Sequence, residues 1–133
     1  MPVSDRMAMI GGMAPLRRPG VWIFCTTDRA DLAAKARDEA LATFAETEGT
    51  SLILSEATAR DLGFPVDSPQ ACLTLGVHSA LDGVGLTAAV AGVLADHGIA
   101  CNMVAAFHHD HVFVPVDHAD RAIALLVACA AQA

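Results

Sequence analysis

Residues 77–116 read VHSALDGVGLTAAVAGVLADHGIACNMVAAFHHDHVFVPV, and the punctuation of this stretch decides the fold. Just upstream, Cys72-Leu73-Thr74-Leu75-Gly76-Val77 is apolar and partly β-branched, which predicts a strand, and His78 to Gly83 follows as a loop or loose first turn. From about Val84 to His97 the residues Leu86, Val90, Val93, Leu94 and His97 recur at helical spacing, and Gly98 stands where a helix-ending glycine belongs. The rest of that helix is Ala88, Ala89, Ala91 and Gly92, small enough to lie close to a sheet. Ile99 to Phe107 predicts a second strand, His108-His109-Asp110 a turn, and His111 to Val114 the hairpin partner, stopped by Pro115. A last helix, capped by Asp117 with Asp120 in its first turn, carries Ile123, Leu126, Val127 and Ala130 at i, i+3, i+4 and i+7.

Working outward to the N-terminus, Val21-Trp22-Ile23-Phe24-Cys25-Thr26 is a predicted strand between Pro19-Gly20 and Thr27-Asp28, with a short helix ahead of it between Met7 and Leu16, broken by Gly11-Gly12 and Pro15. A polar helix is expected from Asp31 to Ala40. Leu41–Ala45 and Thr50–Leu54 form a hairpin in which Gly49 supplies a positive φ. Ser55 caps a helix that buries Ala59 and Leu62 and ends at Gly63, and residues 64–69, with two prolines, form the linker. The second half is thus β-α-β-β-α, one strand short of a ferredoxin-like βαββαβ unit. The first half repeats the theme more loosely, which implies an α+β duplication in which edge strands are shared or exchanged.

The string from Val77 to Val116 resembles the ACT-domain pattern of strand, short loop, helix ending in "GI", and hairpin. More specifically, "GLTAAVAGVLADHGI", "CNMVAAFHHDH" and "FVPV" are similar to a group of bacterial tandem-ACT proteins, and "GVWIFCTT" and "LATFAETEGTSLIL" look like that group's degenerate first half. The resemblance implies two ferredoxin-like (ACT) units side by side, residues 14–66 as the degenerate one and 70–131 as the ACT domain. For function it implies a regulatory module binding a small ligand, most often an amino acid, with no enzyme attached.

Composition sets the outer limits. The chain has 133 residues, 54% of them hydrophobic, enough for one compact domain or two very small ones sharing a core, and too apolar for intrinsic disorder. Its densest apolar stretches, Val84 to Ala95 and Ala122 to Ala131, are too short for a membrane span of about 20 residues. The opening MPVSDRMAMIGG lacks the pattern of a secretion signal. A net charge of −7 argues against nucleic acid, whose backbone calls for clustered cations. Residues 61–133 hold only Arg121 against seven aspartates, and all six histidines lie there. The cysteines, Cys25, Cys72, Cys101 and Cys129, form no CxxC pair and sit in apolar runs, as expected of reduced core thiols in a cytoplasmic protein.

A strand, a glycine-containing loop and a helix start place free backbone N–H groups at the positive end of a helix dipole, which suits a carboxylate. Gly83 and Gly85 permit close approach, and Asp82 or the Asn102 amide can accept from an ammonium group. The expected ligand residues are therefore Ser79, Leu81, Asp82, Gly83, Val84, Gly85 and Leu86, with Asn102, Met103 and Val104 on the next strand. The competing reading is that Ser79 and Asp82 cap the helix and Asn102 satisfies a strand end. No cation lies near the loop in its own half, so backbone N–H groups or a basic residue from elsewhere must hold an anion.

The weaker alternative is a metal-binding or purely oligomerising module using the hairpin tip, in which His108, His109 and His111 would be metal ligands. Strand alternation opposes it, since His109 and His111 share a face that His108 does not. Catalysis by Cys101 or Ser79 with a tip histidine lacks any nucleophile elbow, P-loop or dinucleotide motif, so no enzyme and no cofactor are expected. The partners expected are a small-molecule ligand and a second copy of the chain in a homodimer, because a missing last strand leaves an edge to cover.

Overall fold

The computed structural model describes residue 2 and residues 4–133; Met1 and Val3, in the stretch read for a secretion signal, lie outside them. The elements in chain order are α1 (Arg6–Gly11), β1 (Pro15–Thr27), α2 (Ala30–Arg37), β2 (Ala42–Glu46), β3 (Gly49–Ser55), α3 (Glu56–Asp61), β4 (Gln70–Leu75), α4 (Leu86–Asp96), β5 (Asn102–Ala105), β6 (Asp110–Pro115), a 3-10 turn at Val116–His118, and α5 (Ala119–Ala131). They form two compact units, one of Met1–Pro19 with Ala71–Ala133 and one of Gly20–Gln70. This division departs from the 14–66 and 70–131 boundaries read from the sequence. The N-terminal helix and the start of β1 pack with the C-terminal half, because Met9, Ile10 and Met13 are buried in the core that α4 and α5 form over β4 and β6.

In that larger unit the strand order is β1-β4-β6-β5. The place left vacant by the β-α-β-β-α reading, beside β4, is thus filled by β1, and the Gly76 N–H donates to the Met13 carbonyl where the two segments begin to run together. Alternation does the rest: Ala71, Leu73 and Leu75 of β4 and Val112 and Val114 of β6 point to the helical side. There they meet Leu86, Val90 and Leu94 of α4 and Ala122 and Leu126 of α5. Each fully buried leucine contributes about 1.5–3 kcal/mol relative to exposure.

The smaller unit has the order β2-β3-β1. β2 and β3 form the expected antiparallel hairpin, with Glu46 opposite Gly49, and β1 joins β3 antiparallel from Trp22 opposite Ser55 to Thr27 opposite Thr50. Ile23, Cys25, Leu52 and Leu54 pack with Ala36 of α2 and Ala59 of α3. Ser55 caps α3, its hydroxyl accepting from the Thr58 N–H, and Gly63 turns the chain with φ +84°.

Three local expectations are corrected. The helix expected from Val84 begins at Leu86, because Gly85 takes φ +111° and serves as its N-cap. The strand expected over Ile99–Phe107 is only Asn102–Ala105, since the Ile99 N–H is drawn back to the Leu94 carbonyl at the end of α4 and the Ala106 N–H donates across the hairpin turn to His109. Asp117 does not cap α5: it lies in the 3-10 turn, and His118 occupies the N-cap with no side-chain bond.

Candidate ligand-binding site

The site lies within the larger unit, where the chain leaves β4 and enters α4. The Gly83 N–H closes a turn on the Ala80 carbonyl at 2.9 Å, and Gly85 then sets the left-handed entry to the helix. No side chain caps α4 and no acidic residue occupies its first turn. The capping explanation for Ser79 and Asp82 therefore does not hold. Ser79 reaches away from the helix, its hydroxyl donating to Asp110 Oδ2 of β6 at 2.8 Å.

Both loop glycines are seats for α1. A side chain on Gly85 would fall 2.6 Å from Cδ and Nε of Arg6, and one on Gly83 would fall 2.9 Å from the Met9 sulfur. Arg6 thus lies along Gly85 and places a guanidinium beside the uncapped helix start. Arg6 belongs to the first half of the sequence, where every basic side chain but Arg121 lies.

A cavity of about 170 Å³ opens at this point, lined by Met9, Ser79, Ala80, Leu81, Gly83, Gly85, Leu86, Thr87, Ala105, Ala106, Phe107 and Asp110. A second cavity of about 470 Å³ adjoins it, sharing Ser79, Ala80, Leu81, Ala105, Ala106 and Phe107 and adding Pro2, His78 and Asp82. Of the residues expected from sequence, Ser79, Leu81, Gly83, Gly85 and Leu86 line the first cavity and Asp82 lines the second. Val84 is exposed and lines neither. Asn102, Met103 and Val104 also stay outside both: Asn102 is exposed opposite Phe113, Met103 packs on the core, and Val104 stands opposite His111. The hairpin instead contributes its later residues, Ala105 to Phe107 and Asp110. Sequence reasoning missed Met9, Thr87 and Asp110 of the first cavity, while Arg6, against Gly85, lines neither cavity.

The four histidines of the loop and hairpin divide into two environments. His78 approaches His108 and His109 with ring centroids 5.5 and 6.3 Å away, and Phe107 meets His108 edge-on at 5.0 Å. His111 turns elsewhere, its Nδ1 bonded to the Thr74 hydroxyl at 2.9 Å. Burial pushes its pKa below the ordinary 6.5, Arg18 and His109 add to the effect, and Asp110 opposes it. Among the described residues no three His, Cys, Asp or Glu side chains are arranged to hold a metal ion. The four cysteines are free thiols, and burial pushes those of Cys25, Cys72 and Cys101 up, away from nucleophilic reactivity. No helix among the described residues is long and apolar enough to cross a membrane.

Residues 67–128 match a family model described as an ACT domain, and residues 4–71 match a second model with the same description. A Vibrio cholerae protein, described as of unknown function and a possible transport protein, is 36% identical over 93% of this chain and 94% of its own, with a TM-score of 0.82. An Agrobacterium tumefaciens protein shares the fold at 18% identity, 84% coverage of each chain and a TM-score of 0.61. So does the regulatory subunit of aspartate kinase from Thermus thermophilus, at 12% identity, 89% of this chain, 97% of that one and a TM-score of 0.63. No match was found among curated proteins.

Proposed function

Because the chain belongs to the ACT-domain family, we propose that it is a regulatory protein that binds a free amino acid in the cavity between the β4–α4 loop and the β5–β6 hairpin, without catalysing a reaction on it. The observation that carries this reading is a pair of opposite poles on one cavity. The start of α4, whose N–H groups no side chain caps and whose Gly85, Leu86 and Thr87 line the cavity, attracts a carboxylate. Asp110, held by Ser79, presents an acceptor to an ammonium group. A volume of about 170 Å³ suits the shared α-carbon head of an amino acid. The Ser79 hydroxyl is spent on Asp110, and the Cys101 thiol is raised by burial, which supports binding over catalysis.

Calorimetry or thermal-shift screening with the twenty amino acids at about millimolar concentration tests the proposal. A ligand at a hundred times its Kd stabilises by about 2.7 kcal/mol, and the shift disappears in Asp110→Asn and falls in Arg6→Ala. No shift with any amino acid overturns it. The same reading includes a homodimer. The edge beside β4 is already filled by β1, so the edge strands left for association are β5 in the larger unit and β2 in the smaller one. Light scattering that returns only a 13.7 kDa species at micromolar concentration removes the dimer. A cytoplasmic location is consistent with four free thiols and is tested by fractionation.

A further inference from the structure

We propose that the second, adjoining cavity receives the side chain of the bound amino acid, and that the ligand is therefore one with a large apolar side chain; this rests on the amino-acid reading above. Leu81 and Phe107 are 95% and 84% exposed, yet they stand together, with Ala80, Ala105 and Ala106, on the wall shared by the two cavities. Large apolar side chains this exposed in a cavity wall are covered by something apolar when the site is filled. Among the described residues of its walls, Asp82, at the loop surface, is the acidic side chain, and no Lys or Arg stands there. A volume of about 470 Å³ leaves room for a branched or aromatic group beyond the α-carbon.

The continuity of the two spaces fixes the occupant. Ser79 stands on both: its hydroxyl holds Asp110 at the polar end, while its backbone lies beside Ala80 and Leu81 at the apolar end. A ligand anchored by its ammonium group at Asp110 and its carboxylate near Gly85 projects its side chain between Leu81 and Phe107. His78, whose ring stands tilted to those of His108 and His109, also lines this second cavity. Because each buried methylene is worth about fourfold in affinity, the series glycine, alanine, leucine or phenylalanine should climb by at least tenfold from end to end.

The test is isothermal titration of the full chain with L-alanine, L-leucine, L-phenylalanine, L-lysine, L-aspartate and L-threonine. Leucine or phenylalanine binding at least tenfold more tightly than alanine, lysine, aspartate and threonine is the expected result. Phe107→Ala and Leu81→Ser should remove that preference, bringing leucine and phenylalanine to within about twofold of alanine in the same variant, and both positions are exposed enough for the fold to tolerate the change. If lysine, aspartate or threonine binds as tightly as leucine, the side-chain assignment fails and the amino-acid site stands. If none of the six binds while the unaltered protein melts cooperatively, the amino-acid site itself fails, and this inference with it.

Discussion

The two units meet the same task, leading a chain from a strand into a helix, in opposite ways. In the smaller unit β1 passes to α2 through Asp28 and Arg29 alone. The Arg29 N–H is bonded to the Thr27 hydroxyl, its guanidinium pairs with Asp31 at 2.8 Å, and Asp31 sits in the first turn of the helix. That helix start already has its anion. In the larger unit β4 passes to α4 through the long Gly76–Gly85 loop, with no acidic residue in the first turn, no side-chain cap, and a left-handed glycine at the junction. The dipole that one unit neutralises with its own carboxylate the other leaves facing a cavity. The first unit thus pairs its helix start with its own side chain, where the second leaves the start of α4 uncapped.

Four changes break or sharpen this contrast. The largest concern the cores, which both units need. Leu94→Ala in the larger and Leu54→Ala in the smaller each remove a fully buried side chain and should cost about 2–5 kcal/mol in urea unfolding. An amino-acid ligand should recover part of the Leu94→Ala loss by mass action. Next comes Gly85→Ala: a φ of +111° strains any Cβ by about 1–3 kcal/mol, and the new methyl group displaces Arg6, so stability and ligand binding should fall together. Retained affinity in that variant would separate Arg6 from the site.

A smaller effect is pH dependence. His111 has a lowered pKa in the folded chain, so between that value and 6.5 the unfolded chain binds more protons. Its contribution is complete above pH 6.5 and is lost as the pH falls toward the folded pKa. Melting temperature should therefore drop on acidification below about pH 6.5, and His111→Gln should flatten that part of the curve. The smallest effect belongs to the smaller unit. Arg29→Ala breaks a fully exposed pair and should leave melting and ligand affinity unchanged. A clear loss of binding there would contradict the contrast between the two helix starts.

Much of this was legible in particular residues. Gly98 and Gly63 end helices where a positive φ is needed, Gly49 sits in the hairpin turn, and Ser55 caps α3 as expected. The β4–α4 loop was recognisable because glycines before an apolar helical stripe are costly unless the backbone must be approached. Less was legible where partners are distant in sequence. Asn102 to Val104 look well placed for a ligand by order along the chain, yet β5 starts only at Asn102, and the hairpin carries Ala105 to Phe107 and Asp110 to the cavity instead. Asp117 has the composition of a cap and is bypassed because the chain enters α5 through a 3-10 turn.

The sequence by itself determined the βαββα order of the second half, the hairpin of the first, and the loop that holds the candidate site, because periodicity, glycine and proline act over a few residues. Only the tertiary structure decided which strand stands beside β4, that α1 belongs to the larger unit, and that Arg6 and Asp110 meet the same loop from opposite ends of the chain. Those are long-range choices, made where Met9, Ile10 and Met13 find apolar surface to bury, and no local pattern records them.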